Sequence, residues 1–266
     1  QKIFVAAGDL EKVDQLPKMS SSLPKFADLL ESLLGAIESI DASSAASYRV
    51  ANNQLAVIGT LVGLVPANRA RLERLLKIFA RHMEASDESE DLRFLKLHIC
   101  SHLILLCRGH AGLFAPASLV QLIAERWWSR VTAGQRCKLV EAVALLANHF
   151  ADPSEQSGLL SQILVSSLAF LQRPSVKAAF ASPEKLMEAV GLTSALPPSE
   201  EEDPCLSFRR EAMGELGILE AVLTRSSDSP EAALFCRPEN QEALVALFSL
   251  ARSLNGVPQA GGCLHS

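Results

Sequence analysis

The chain has 266 residues, 48% of them hydrophobic but only 5% aromatic, and a formal net charge of -5. It is long enough to bury a large core built from Leu, Ala, Val and Ile, and its mild negative charge excludes a molecule-wide basic field for nucleic acid or an anionic membrane. No apolar run approaches the ~20 residues needed to span a bilayer, and with Gln1 in first place and no basic and apolar leader the chain reads as an internal piece of a longer soluble protein.

Residues 1–22 carry little pattern. From there apolar positions recur at helical spacing, as in Leu72, Leu75, Leu76, Phe79 and Met83, then Leu92, Leu95, Ile99, Leu103 and Leu106, then Leu139, Val143, Leu146 and Phe150. No segment alternates like a strand. Asp152-Pro153-Ser154-Glu155 and Ser182-Pro183-Glu184 supply start signals, each a cap followed by proline and an acid. Gly109, Gly191 and Asn255-Gly256 read as stops. The expected helices cover about 24–41, 47–65, 69–84, 91–108, 117–129, 133–150, 155–172, 183–190, 206–225 and 238–254.

Alternate helices begin near 24, 69, 117 and 155, roughly 38 to 48 residues apart, close to the ~40–47 residue period of HEAT and armadillo arrays. The expected fold is therefore all-α: a HEAT-type α-solenoid of stacked antiparallel helix pairs over 23–256, a fragment of a longer superhelix, in preference to a closed bundle. Residues 192–204, with Pro197-Pro198, Glu200 to Asp203 and Pro204, form an acidic loop insertion, and 257–266 a flexible tail.

No pattern for catalysis emerges, so the chain is read as a binding protein rather than an enzyme, with no cofactor and no metal. His98 and His102 stand four apart on one helix, a chelating spacing for which Cys107 or His110 could add a third ligand, but Ile99-Cys100-Ser101 between them lacks the glutamate of a zinc-protease helix. The six cysteines, Cys100, Cys107, Cys137, Cys205, Cys236 and Cys263, form no CxxC pair; those in apolar helical stretches read as core thiols in a reducing compartment, cytosol or nucleus. Gly214 and Gly217 lie in a helical run without a preceding strand, which fits helix packing better than a phosphate loop.

Trp127 and Trp128, between Arg126 and Arg130, could stack on bases or form a protein hot spot, yet adjacent helical residues point apart, so one is expected in a groove between helices and the other half exposed. Arg74, Lys77 and Arg81 share a helix face, and Arg136 and Lys138 open another helix; the acidic loop Glu84, Asp87, Glu88, Glu90 and Asp91 competes for such cations.

The stretch His98-Ile99-Cys100-Ser101, followed after a short apolar run by Cys107-Arg108, resembles a helix of the karyopherin-β (importin-β) family of nuclear transport receptors, in its exportin branch. The run from Arg136-Cys137-Lys138-Leu139-Val140-Glu141-Ala142 through Asn148-His149-Phe150 is similar to the next paired helix of that family, with its basic-Cys-x-Leu-x-Glu-Ala and closing Asn-x-Phe. Residues 159–172 and 239–255 are compatible with later family helices, so the likeness covers about 45–255; where the family is basic at two positions before the histidine, this chain has Lys96 and then Leu97.

The resemblance implies a central segment of a receptor that shuttles between nucleus and cytoplasm, carrying double-stranded or hairpin RNA, such as a microRNA precursor, or protein cargo. RanGTP and cargo would bind cooperatively in the nucleus and be released by GTP hydrolysis in the cytoplasm. RanGTP would be held mainly by other repeats, nucleoporins would be partners, and no membrane would be entered. Lys96, His98, Ser101, Arg136 and Lys138 are the implied cargo-facing residues, on the inner helices 91–108 and 133–150. A HEAT-repeat protein scaffold in a cytosolic or nuclear complex is the alternative. A continuous basic strip along the inner helices favours RNA; an apolar one favours a protein or peptide.

Overall fold

The computed structural model describes residues 23–39, 48–62, 69–85, 89–193 and 203–225, together with positions 241, 245, 247, 248, 251 and 252. The segments expected at 1–22 and 257–266, most of the 238–254 helix and positions 194–202 of the acidic insertion fall outside these residues; the six described positions between 241 and 252 are helical. Among the described residues no strand occurs, and the chain is all-α. It divides into two compact units, one ending at His149 and one beginning at Phe150.

The first unit holds α1 (Leu23–Ser39), α2 (Tyr48–Val62), α3 (Arg69–Met83), α4 (Glu90–His110), α5 (Pro116–Leu122) and α6 (Ala133–Ala147). Local chemistry starts these helices where polar caps precede apolar stripes. Ser89 caps α4 by accepting from the Leu92 N–H at 3.3 Å, with Glu90 and Asp91 in the first turn and Arg108 and His110 in the last, each complementing the helix dipole. Thr132 and Gln135 make a reciprocal capping box at the start of α6. The stripes then bury Leu72, Leu75 and Phe79 of α3, Leu95, Ile99 and Leu103 of α4, and Leu139, Val143 and Leu146 of α6. Each such side chain contributes about 1.5–3 kcal/mol relative to an exposed one.

These helices lie in two rows. In one, Glu31 of α1 forks between Arg71 and Arg74 of α3, and Glu84 after α3 accepts from Arg126 at 2.7 Å. In the other, α2 meets α4 through Asn52 and His98, and α4 meets α6 through Gln135, whose Nε2 donates to the Arg93 carbonyl at 2.7 Å. Arg93 and Gln135 are both in the first turns of their helices, while Arg108 near the end of α4 reaches Glu141, so α4 and α6 run in the same direction. Gln54 of α2 ties the rows together: its Nε2 donates to the Ile37 carbonyl at 2.6 Å and its Oε1 stands 3.1 Å from His82 Nε2. Since that amide nitrogen already donates, Oε1 must accept, and His82 carries its proton on Nε2.

Three departures from the sequence reading are local. Gly109 does not stop α4, which runs on to His110 and into a tight turn at Ala111–Leu113; its backbone is not left-handed, so nothing there calls for a break. The single helix expected over 117–129 is instead α5, a widened π-turn at Ile123–Trp127 and a tight turn at Trp128–Arg130. The widening accommodates Trp127, which is fully buried, the bulkiest side chain in the core. The 133–150 helix ends at Ala147, where the Asn148 and His149 N–H groups turn back onto Ala144 and Leu146.

The second unit contains α7 (Pro153–Gln172), α8 (Pro174–Ala179), α9 (Pro183–Ala189) and α10 (Leu206–Arg225). Asp152 caps α7 by accepting from the Ser154 N–H at 2.8 Å, and Ser182 caps α9, as their Pro-containing starts predict. Short α8, opened by Pro174, was not expected. After α9 the chain closes in a paired turn, Gly191 N–H to Glu188 and Leu192 N–H to Met187, with Gly191 at φ +74°. A side chain there would also crowd Cys205. Ser166 and Ser167 of α7 donate to Glu215 of α10, while Arg173 just beyond α7 reaches Glu211, so these two helices are antiparallel. Asp203, at the end of the expected acidic insertion, has an enclosed side chain: burial raises its pKa, but the Cys205 N–H and the Arg209 guanidinium outweigh this and hold it below the ordinary range.

Burial first, then neighbouring Arg81, lowers the pKa of His82 below 6.5, and burial does the same at His102. A depressed histidine contributes stability that is complete above the unfolded value and is lost as pH falls below it toward the folded one. Thermal unfolding is expected to show weakening stability between pH 7.5 and about 5.5, before carboxylates titrate. His82→Gln, which can still donate to Gln54, is expected to flatten that dependence; an unchanged slope in this variant would contradict the assignment.

Candidate macromolecule-binding face

The row α2, α4, α6 presents one side to solvent, and the residues singled out in the sequence divide sharply over it. His98 is exposed on α4, with Nδ1 3.1 Å from Asn52 Oδ1 of α2. Ser101, one turn on, is half-buried and donates to the Leu97 carbonyl at 3.0 Å, an internal helix bond that leaves its oxygen able to accept. Lys138 lies on the neighbouring α6, half-buried, with no ion pair or hydrogen bond among the described residues. These three belong to one surface.

Lys96 and Arg136 do not join them. Lys96 is 7% exposed, and its ammonium donates to the Ala85 carbonyl at 3.3 Å and the Arg130 carbonyl at 3.2 Å. It thus ties α4 to the ends of two other segments. Arg136 stands two residues from Lys138 and so points away from it; its guanidinium lies 5.7 Å from the Trp128 ring centroid, a cation–π contact, and its Nε is buried without a hydrogen-bond partner. A continuous basic strip through Lys96, Arg136 and Lys138 is therefore not formed.

The remaining candidates sort in the same way. Trp127 is buried and Trp128 half-buried beneath Arg136, so the pair does not make one stacking platform. Arg71 and Arg74 are held by Glu31, whose pKa falls chiefly through the hydrogen bond from Arg71, whereas Lys77 and Arg81 of α3 are not drawn into that fork. Glu84 pairs with Arg126 and lends its backbone carbonyl to Arg130, so this acid competes for the cations around the tryptophans rather than for those of α3. Burial pushes the thiols of Cys100 and Cys107 up to about 12, too high for a thiolate nucleophile near neutral pH. Among the described residues no group of three or more His, Cys, Asp or Glu side chains is placed to hold a metal ion, and no helix is long and apolar enough to cross a membrane.

The sequence reading passed over the most exposed apolar features of this face, Phe94 and Leu105. Phe94, His98, Ser101 and Leu105 follow one another at i, i+4, i+7 and i+11 and form one stripe. Their signal was available: both apolar residues fall outside the core stripe through Leu95, Ile99 and Leu103.

Lys96→Ala removes a buried donor from two carbonyls and is expected to lower stability by about 1–3 kcal/mol, whereas Lys138→Ala is expected to stay within about 0.5 kcal/mol. Denaturant unfolding of the two variants checks this; equal effects would contradict the division between a structural and a surface lysine. Compared with known proteins, the chain matches no protein-family model and no curated sequence.

Proposed function

We propose that this chain is a HEAT-type α-solenoid segment of a nuclear export receptor of the karyopherin-β kind, part of a longer superhelix, which holds hairpin RNA or protein cargo and acts with RanGTP and nucleoporins while shuttling between nucleus and cytoplasm. The observation that carries this reading is the spacing of contacts in the first unit. Glu31 to Arg71 and Arg74, Asn52 to His98, Glu84 to Arg126 and Arg130, and Arg93 to Gln135 join residues 40 to 46 apart. Contacts repeating at that interval are what a stacked helix-pair array requires, since each pair covers its apolar face with the next. The motifs around His98 and Cys137 add the family likeness. Function of this kind needs a surface rather than a reaction centre.

The alternative, a HEAT scaffold in a cytosolic or nuclear complex, is favoured by one observation: the exposed Phe94 and Leu105 lie where RNA cargo would call for cations. Binding of the chain to a hairpin RNA, measured with and without RanGTP across a salt series, separates the two. RanGTP-enhanced binding with a steep salt slope is expected for an RNA carrier. Salt-insensitive or absent RNA binding by folded, helical protein would move the assignment to the scaffold.

A further inference from the structure

We infer that His98 and His102 of α4 form a two-nitrogen chelate for a divalent transition ion of the zinc class, a site independent of the carrier reading above. Residues four apart on a helix stand one above the other, separated by a rise of about 6 Å with Cβ atoms about 5–6 Å apart. A zinc–imidazole bond is about 2.0–2.1 Å long, so one ion can take a nitrogen from each of two rings placed in this way. Zinc-protease helices use the same spacing. The glutamate they carry between the histidines is absent from Ile99-Cys100-Ser101, which removes a hydrolytic base but not the chelate.

The surroundings of both rings leave Nε2 for the ion. His98 is exposed, and its Nδ1 lies 3.1 Å from Asn52 Oδ1 of α2. That oxygen can only accept, so the neutral ring carries its proton on Nδ1 and its lone pair on Nε2. A metal-binding imidazole ordinarily has such an outer partner, which fixes the tautomer and the ring orientation and raises the basicity of the other nitrogen. In half-buried His102 the enclosed nitrogen is Nδ1, which has no hydrogen-bond partner. Its Nε2 makes no hydrogen bond among the described residues either, so no side chain there competes with an ion for it. Burial, and after it the charge of His98, lowers the His102 pKa. The ring is therefore neutral near pH 7, as a ligand must be, and the two imidazoles are close enough to influence one another. Other donors stand apart. Cys100 and Cys107 are buried in the core with thiols pushed up to about 12, and His110 lies eight residues beyond His102, about 12 Å along the helix. Two protein nitrogens thus hold the ion, and the remaining tetrahedral positions go to water or to a donor from a partner.

The test titrates the 266-residue chain with Zn2+ up to millimolar concentration and follows the histidine ring nitrogens by proton–nitrogen correlation NMR. The Nε2 resonances of His98 and His102 are expected to shift together and to saturate. His98→Asn, a change to an exposed side chain, is expected to abolish the response of His102, and Asn52→Leu to weaken binding about tenfold by removing the outer partner. His149→Asn is expected to change nothing. Cys137 and Cys205 are only partly buried thiols that can take zinc by themselves, so the ring resonances, not the total metal bound, are the readout. Thermal melts verify that each variant is folded. A shift at one ring alone, no saturable shift at either, or a His102 response that survives His98→Asn would overturn the inference, whatever the RNA titration shows. An Asn52→Leu titration matching the native one would overturn the part given to Asn52.

Discussion

Apolar contact between helices is non-directional, so a core made mostly of leucine, alanine and valine could slide by a turn with little change in buried area. Register in the first unit is fixed instead by buried polar side chains that cross from one helix to backbone carbonyls on other segments. Gln54 reaches Ile37, Lys96 reaches Ala85 and Arg130, and Gln135 reaches Arg93. Each is nearly inaccessible to solvent, where an unmade hydrogen bond costs about 1–3 kcal/mol. A slip would forfeit several of these at once. The register of α4 against α6, and hence the face the two helices share, follows from the last of these bonds.

Much of the fold was legible because it rests on short-range physics. Apolar spacing placed most helices, and Asp152, Ser182 and Gly191 acted at helix ends as their chemistry predicts. Non-local geometry was not legible. Lys96 looks like any surface lysine until the loops ending in Ala85 and Arg130 are brought to it. The π-turn at Ile123–Trp127 carries no glycine or proline to announce it; it arises from fitting an indole into a space defined by other helices. Gln135 is an intermediate case, since Thr132-x-x-Gln135 is a recognisable capping box but its second bond, to Arg93, depends on packing.

The candidate site divides along similar lines. Lys138 and Arg136 lie two apart in sequence and share a charge, yet helical geometry sends one to the solvent face and the other over Trp128. His98 and Ser101, three apart, do share a face. Angular position about a helix therefore outweighs residue type in deciding which cations act together, and the exposed face is more apolar than a reading by charge suggests.

Trp127 and Trp128 are the only two indoles in the chain, and their surroundings are opposite. One is enclosed with its N–H unbonded, and the other lies half in water under a guanidinium. An enclosed indole relaxes little solvent after excitation and emits toward the blue, whereas a half-wetted one emits toward the red and is open to collisional quenchers. The chain thus carries two built-in optical reporters at neighbouring positions, one of core integrity and one of the surface beside α6.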